Sequence, residues 1–362
     1  MSAVVRELPV ARKVRASARQ APLHGVPLSV CLLVLGGLLV LAVLVAAAVG
    51  SVSVSVGDSW RIVWAHLTGT PSGVDRAFDQ IVWTFRIPRV LLAALCGAGL
   101  AVAGVVLQAL VSNPLADPFI LGVSAGGSVG AVVVMALGAG ALGGLGVSGA
   151  AFVGALLAVG LVFLLGQQRG RLNPVRLVLA GVAVSYVFTS ITSFLQLRTE
   201  PNNMRQIMFW LLGSVSGAHW SQLQVAGVVV VAVTVLLTFY GRQLNALVTG
   251  DESATALGID VKRLRVLLIV LTSLLAGVLI AVAGGIGFVG LMVPHLVRLA
   301  FGVDHRRLLP LAALVGATYL VVVDLLSRTL DPPNELPLNI LTALFGAPFF
   351  IWLMRRDRSM AS

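Results

Sequence analysis

The stretch that decides the class of fold is residues 28–49, LSVCLLVLGGLLVLAVLVAAAV, a run of 22 residues without a charged side chain. A helix needs about 20 apolar residues to cross the hydrocarbon core of a bilayer. The apolar core of a secretory signal is shorter, about 7–15 residues. Residues 28–49 therefore predict a first membrane span that is retained.

The composition of the whole chain agrees with this prediction. Of the 362 residues, 58% are hydrophobic and 11% are charged, and the mean hydropathy is +1.00. A soluble domain carries about 25% charged residues, so a soluble enzyme, a nucleic-acid-binding module and a disordered tail are all poor interpretations. The net charge of +11 could attract nucleic acid. However, the basic residues lie between long apolar runs, which is typical of a membrane protein.

Further apolar segments follow the first, and together they predict an all-α integral membrane protein with about ten transmembrane helices. The eighth segment is the shortest and could begin or end in a protein-lined region. Residues 51–87 are predicted to form an extramembrane loop with Trp60, Trp64 and Trp83 at the membrane interface. The nine later segments are 89–110, 119–137, 147–166, 175–197, 220–240, 264–283, 288–301, 308–326 and 338–354.

The distribution of Lys and Arg predicts the orientation. If the N-terminus is cytoplasmic and the spans alternate, 18 of the 25 basic residues fall in cytoplasmic segments and 7 fall outside. Cytoplasmic loops carry an excess of Lys and Arg, so both termini are predicted to be cytoplasmic. The resulting organisation is a basic arm at 1–27, a ten-helix transmembrane domain at 28–356 and a cytoplasmic tail at 357–362.

The motifs needed for chemistry within this chain are missing from the sequence. Its two lysines, Lys13 and Lys262, follow Arg12 and Val261, whereas the lysine of an ATP-binding P-loop follows glycine. The spacings of common metal sites and of catalytic serine motifs are also missing. We therefore expect no catalytic residue, metal site or cofactor in this chain, and any ATP and Mg²⁺ would be bound by a partner.

One acidic residue lies within a predicted span. Asp324 is followed four residues later by Arg328, so the two share one helix face and can form an ion pair. A carboxylate inside a membrane is a functional candidate by default. Asp324 could bind a proton that is coupled to transport, or it could form a structural ion pair. The predicted spans contain no chain of acidic residues that could relay protons, which argues against the hypothesis of an ion-coupled secondary transporter.

Two further patterns concern packing and a cytoplasmic loop. Small residues repeat every four positions, as in Gly122, Gly126 and Gly130 and again from Gly146 to Ala158, which favours close helix contacts. In the loop between the sixth and seventh spans, acidic residues from Asp251 predict the start of a short helix. Gly258 predicts its end.

Nine motifs follow one another along the chain. They are RIPRVL at 86–91, GAGLAVAG at 97–104, NPLADP at 113–118, LGVS at 121–124, QIMFWLLGS at 206–214, ALGI at 256–259, AGGIGFVGLMVPHLVR at 283–298, DHR at 304–306 and LFGAPFFI at 344–351. With these motifs the sequence resembles a known family, the permease subunits of ABC importers for iron-siderophores, haem and cobalamin (type II ABC importers). The resemblance covers roughly residues 28–356, and the order of the motifs makes it specific.

The resemblance implies an assembly. Two permease subunits, identical or different, form a dimer in the bilayer around a central pathway, with two ATPase subunits beneath it and an extracytoplasmic substrate-binding protein above. Nucleic acid is not a partner. The family's coupling helix corresponds to residues 245–259, in which Asp251, Glu252, Leu257 and Gly258 are expected to contact the ATPase. The family's docking arginines for the binding protein correspond to Arg86, Arg89 and Arg328.

The resemblance also implies a pathway and a cargo. The fifth span resembles the helix that lines the family's pathway. We expect a ferric-siderophore as cargo, with haem or cobalamin as the alternative, in a bacterial cytoplasmic membrane. An ion-coupled secondary transporter is the rival class. The expected pathway residues are Ser185, Tyr186, Thr189, Ser190, Thr192, Ser193 and Gln196.

Overall fold

The structure is a computed structural model that describes residues 21–23, 25–50, 52–168 and 171–357. Most of the predicted basic arm at 1–27 and of the tail at 357–362 lies outside these residues. In the described part, the chain is nearly all helical, with one pair of two-residue antiparallel strands, β1 (Gln167–Gln168) and β2 (Arg171–Leu172).

Fourteen α-helices follow one another in the described residues, and we number them in chain order. The third contains a π-helical section at Ile81–Arg86, and short 3-10 turns at Pro118–Leu121 and Ala139–Leu142 flank the fourth. The helices are α1 (Leu28–Ala48), α2 (Val56–Thr68), α3 (Arg76–Val111), α4 (Val123–Leu137), α5 (Val147–Gly166), α6 (Pro174–Leu197), α7 (Pro201–Leu211), α8 (Trp220–Phe239), α9 (Gly241–Val248), α10 (Asp251–Ala256), α11 (Val261–Ala283), α12 (Val289–Phe301), α13 (His305–Ser327) and α14 (Leu338–Asp357).

The helices confirm the predicted fold class. Eight of those described are long and apolar enough to cross a membrane. The third and eighth predicted spans correspond to the shorter apolar helices α4, with 15 residues, and α12, with 13 residues. The helices α2, α7, α9 and α10 connect the candidate spans.

Contacts between helix ends fit spans that alternate in direction. At one end, Arg89 at the start of the second span contacts Asp324 near the end of the ninth. At the other end, Arg265 at the start of the seventh span contacts Leu110 at the end of the second. We call the first the outer end and the second the inner end, following the sides that the positive-inside prediction gives them.

Helices α3 and α11 form the centre of the bundle. In the most apolar 18-residue stretch of each helix, 78% of the residues of α3 and 72% of those of α11 are buried, compared with 17% in α1. Glycine allows α3 to approach its neighbours closely. A Cβ atom on Gly97 would lie 2.0 Å from the carbonyl oxygen of Gly316 in α13, and one on Gly104 would lie 2.0 Å from that of Gly290 in α12. Such backbone contacts replace the hydrophobic driving force that is missing between helices in lipid.

The predicted small-residue stripes of α4 and α5 pack against each other. A Cβ atom on Gly126 would lie 2.3 Å from the carbonyl oxygen of Gly154, and one on Gly130 would lie 2.0 Å from that of Ala150. The sequence pattern therefore identified a real helix contact, although it did not indicate that the two stripes are partners.

The prediction that residues 51–87 form a loop was wrong in detail. This segment contains α2 and the first turns of α3. Trp60 and Trp64 are exposed on α2, whereas Trp83 is partly buried, with its ring centroid 4.2 Å from that of His66 and 4.6 Å from that of Trp220. The physical reason is that Trp83 lies on the side of α3 that faces α2 and α8.

Candidate functional sites at the two ends of the bundle

Five charged residues meet at the outer end, and we call them the outer charge cluster: Arg86, Arg89, Asp324, Arg328 and Glu335. Arg89 Nε donates to Asp324 Oδ1 at 2.8 Å, and Arg89 Nη1 donates to Glu335 Oε1 at 2.7 Å. Arg328 Nε lies 3.5 Å from Asp324 Oδ2, so the predicted pair between Asp324 and Arg328 is present. Asp324 is fully buried, and a buried charge is stable only when it is paired in this way.

The other two arginines hold the end of α1. Arg86 Nη1 donates to the carbonyl oxygens of Ala47, at 3.0 Å, and Ala48, at 2.7 Å. Arg328 Nη1 donates to the carbonyl oxygen of Val49 at 2.8 Å. The last four carbonyls of a helix have no partner within the helix and carry partial negative charge. The two guanidinium groups therefore cap α1 by both hydrogen bonding and charge.

A local irregularity in α3 precedes these arginines. Pro88 has no N–H group to donate to the carbonyl of residue 84, and the chain is π-helical from Ile81 to Arg86. A π-helical turn is wider than an α-helical one and often occurs at functional sites. Here it ends directly at Arg86, so that Arg86 faces α1 while Arg89 faces α13.

The structure brings Arg86, Arg89 and Arg328 together, as expected for one shared site. Their side chains are nevertheless mostly buried and bound within the chain. This geometry gives all three a structural role at the junction of α1, α3 and α13. Their role in docking a binding protein stays a prediction, and it requires that a partner reach Arg89 through the surface next to Glu335.

The inner end carries the predicted short helix, α10, and its existence is confirmed. It begins at Asp251, and Gly258 follows it with φ of 80°, a left-handed conformation that glycine adopts without strain. Ala254 is fully buried and anchors α10, whereas Glu252, Leu257 and Gly258 are exposed. Leu257 is 71% exposed, which makes it the most prominent apolar group of this segment.

Asp251 has a partner within the chain. Arg265 Nη2 donates to Asp251 Oδ1 at 2.8 Å, and Arg265 Nη1 donates to the carbonyl oxygen of Leu110 at 3.2 Å. Arg265 itself is buried. It therefore joins α10 to the start of α11 and to the inner end of α3.

A second connection ties α9 to α13. Asn245 Oδ1 accepts from the backbone N–H of His305 at 2.9 Å and from His305 Nδ1 at 2.7 Å. Asn245 Nδ2 donates to Asp304 Oδ1 at 2.7 Å. The segment at 245–259 is thus fixed to α13 at one end and to α3 and α11 at the other.

The predicted pathway residues divide between two sides of α6. Tyr186, Thr189, Ser190 and Ser193 are exposed, and their spacing of three and four residues puts them on one helix face. Thr192 is buried, and Ser185 and Gln196 are half-buried. These four hydroxyl side chains form a polar stripe on the exposed side of α6, next to exposed apolar residues such as Val187 and Phe194. We call this stripe the polar face of α6.

Sequence reasoning missed Arg265, Asn245 and Glu335 as site residues. Arg265 and Asn245 have partners 155 and 60 residues away in the chain, which no local pattern indicates. One feature of the sequence could have indicated Glu335. It is an acidic residue just before the last apolar segment, on the side that is predicted to be external and that carries few basic residues.

Comparisons with known proteins agree with this architecture. The sequence model of the FecCD transport family matches residues 38–356. A solved structure of a metal-chelate type ABC transporter in an inward-facing conformation superposes with a TM-score of 0.78 at 34% identity. The matched region covers 90% of this chain and 98% of the chain in the solved structure.

Curated relatives are similar over nearly their whole length. A cobalamin import system permease protein, BtuC, of Halobacterium salinarum is 42% identical over 85% of this chain and 82% of its own. A hemin transport system permease protein, HmuU, of Yersinia pestis is 40% identical over 91% of this chain and 97% of its own. The chain therefore belongs to the FecCD transport family, as a membrane permease subunit of a type II ABC importer rather than an enzyme.

Proposed function

We propose that this chain, as one half of a dimer, forms the translocation pathway for an intact metal chelate in a bacterial cytoplasmic membrane. A substrate-binding protein delivers the chelate at the outer end, and ATP hydrolysis by two ATPase subunits at the inner end drives import. The chelate is a ferric-siderophore, haem or cobalamin. The observation that carries this proposal is the polar face of α6 within an all-helical permease fold.

The chemistry of that face suits a pathway. Tyr186, Thr189, Ser190 and Ser193 offer neutral hydroxyl groups, which exchange hydrogen bonds with water and with cargo at little cost. Ser190 Oγ donates to the carbonyl oxygen of Tyr186 at 2.9 Å, so its own helix already satisfies its donor. Such a surface passes a large chelate without competing for its metal.

The inner end supplies a contact for the ATPase. Leu257 and Glu252 project from a segment that is fixed to α3, α11 and α13. A force on α10 is therefore transmitted to three spans at once. ATP and Mg²⁺ belong to the partner ATPase in this proposal, because this chain lacks a P-loop lysine.

The identity of the cargo within the metal-chelate class is a second, more specific part of the proposal. The sequence led us to expect a ferric-siderophore, while the names of the two curated relatives refer to cobalamin and to hemin. Each of these is a planar or compact chelate with a firmly held metal. We therefore keep haem and cobalamin as alternatives of equal standing to the siderophore.

The test is uptake by a reconstituted transporter. The chain is assembled in proteoliposomes with its ATPase and its binding protein, and ATP-dependent entry of a ferric-siderophore, of haem and of cyanocobalamin is measured separately. We expect entry of one class that needs all three components. Entry that needs an ion gradient and no ATPase would contradict the proposal in favour of a secondary transporter.

A further inference from the structure

Arg89 is held by two carboxylates that differ in their access to solvent. The carboxylate of Asp324 on Arg89 Nε is fully buried, and that of Glu335 on Arg89 Nη1 belongs to a side chain that is 40% exposed. The side chain of Arg89 is only 10% exposed. Of these two carboxylate partners of Arg89, Glu335 is therefore the one that solvent reaches.

We infer that Glu335 occupies, in the undocked chain, the position on Arg89 that an acidic side chain of the docking protein takes in the complex. This inference rests on the proposed docking of a binding protein at the outer end. Glu335 is then an internal competitor, and docking exchanges one carboxylate for another without leaving Arg89 unpaired.

The charges of the outer charge cluster favour an acidic partner. Three arginines face two carboxylates, which leaves one positive charge in excess. Arg86 and Arg328 use their donors on the carbonyl oxygens of α1. Arg89 is therefore the arginine whose partner can be exchanged while the helix junction stays intact.

The backbone around Glu335 permits this exchange. The N–H of Leu336 donates to the carbonyl oxygen of Ser327 at 2.9 Å, and Ser327 Oγ donates to the carbonyl oxygen of Leu336 at 2.6 Å. These bonds fix the chain directly after Glu335. Release of Arg89 then needs only a rotation of the Glu335 side chain, and the segment between α13 and α14 keeps its conformation.

The competing explanation is that Glu335 is a permanent structural partner of Arg89. The two explanations predict opposite effects on docking when the carboxylate is removed. Without an internal competitor, the partner's acid binds Arg89 more tightly. Without a structural partner, Arg89 is less well positioned and docking weakens.

The experiment measures the Kd of the purified binding protein for the assembled transporter in nanodiscs. For Glu335→Gln we expect the Kd to fall by roughly twofold to fivefold, the range of one partly exposed ion pair. Glu335→Asp, whose shorter side chain reaches Arg89 poorly, should also lower it. The control is Asp331→Asn, an exposed carboxylate of the same segment that is bonded to Asn334, which should leave the Kd unchanged. An unchanged or higher Kd for both Glu335 variants would overturn the inference.

A double-mutant cycle separates this inference from the proposed docking itself. Acid-to-amide variants of the binding protein are combined with Glu335→Gln. Exchange predicts that loss of the acid that binds Arg89 abolishes the gain from Glu335→Gln, because coupled residues are not additive. If Arg89→Lys and Arg89→Gln leave the Kd of the folded transporter unchanged, docking at this site is wrong. If they weaken docking while Glu335→Gln does not strengthen it, only the exchange is wrong.

Discussion

The guanidinium group of Arg265 lies 2.8 Å from the carboxylate of Asp251, and this pair joins the short helix α10 to the central helices of the bundle. The same guanidinium donates to the carbonyl oxygen of Leu110 at the inner end of α3. Asp251 is thus a point of attachment inside the chain. Its expected contact with the ATPase stays a prediction, because the Asp251 side chain is also 58% exposed.

We predict that Arg265→Gln and Asp251→Asn uncouple ATP hydrolysis from transport. Loss of either partner frees α10 from α3, so that movement of the ATPase reaches the spans less effectively. We expect uptake in proteoliposomes to fall about tenfold, equivalent to about 1.4 kcal/mol of coupling, while ATP hydrolysis continues. The measurement is the ratio of cargo imported to ATP hydrolysed.

Two controls test the assignment. Glu252→Gln removes a neighbouring exposed carboxylate from the proposed ATPase contact, and it should lower the ratio less than Asp251→Asn does, because the attachment of α10 to Arg265 stays intact. The double variant Asp251→Arg with Arg265→Asp restores opposite charges and should recover part of the lost coupling. Equal losses in Glu252→Gln and Asp251→Asn, with no recovery in the double variant, would point instead to direct contact with the ATPase.

We predict that Asp324→Asn destabilises the outer end strongly. Asp324 is buried between Arg89 and Arg328, and removing one partner of a buried ion pair costs about 3–5 kcal/mol because the other charge is left uncompensated. We expect a lower Tm and a lower yield of folded protein in detergent. Asp331→Asn, an exposed change near the same end, serves as the control. A Tm equal to that of the wild type would show that water or lipid already solvates these arginines.

The fold could be predicted largely from sequence because one physical rule governs it. A buried backbone in lipid must satisfy its own hydrogen bonds, so long apolar runs such as 28–49 become helices. The rule is less informative for the short apolar helices α4 and α12, each of which follows a segment that is not α-helical. It also says nothing of connecting helices such as α2, whose Ile62 is buried against Val82 and Ile87.

The candidate sites were less predictable because their contacts are distant in sequence. The pair at Asp324 and Arg328 follows from a spacing of four residues, whereas the pairing of Asp324 with Arg89 spans 235 residues. Likewise, the sequence indicated that Arg86, Arg89 and Arg328 lie on one side. It did not indicate that Arg86 and Arg328 would cap the end of α1.

We predict that Gly104→Ala impairs folding although the change adds only a methyl group. The new Cβ atom would lie 2.0 Å from the carbonyl oxygen of Gly290, and backbone cannot move aside as a side chain can. Overpacking of this kind costs about 1–3 kcal/mol, which should appear as a lower Tm. The matched control is Gly160→Ala in α5, where nothing lies within 4 Å of the new atom. Its Tm should stay equal or rise, because alanine favours helix. Equal effects of the two changes would mean that α3 and α12 are not in close contact.

The final prediction concerns which side of α6 meets water. In the assembled transporter, cysteines introduced as Ser190→Cys and Ser193→Cys should react with a charged thiol reagent, because a hydrated pathway admits ions and lipid does not. Thr192→Cys should stay unreactive because Thr192 is buried. The native Cys31 and Cys96 are buried and should give a low background.

A second control distinguishes water from lipid. Val228 on α8 is 70% exposed in the single chain, but an apolar residue exposed at mid-span faces lipid tails, in which a charged reagent does not dissolve. Val228→Cys should therefore stay unreactive despite its exposure. Reaction at Ser190→Cys and Ser193→Cys alone would assign the polar face of α6 to the pathway. If none of the four introduced cysteines reacts, lipid or a neighbouring helix covers this face. The pathway would then have to lie along another span.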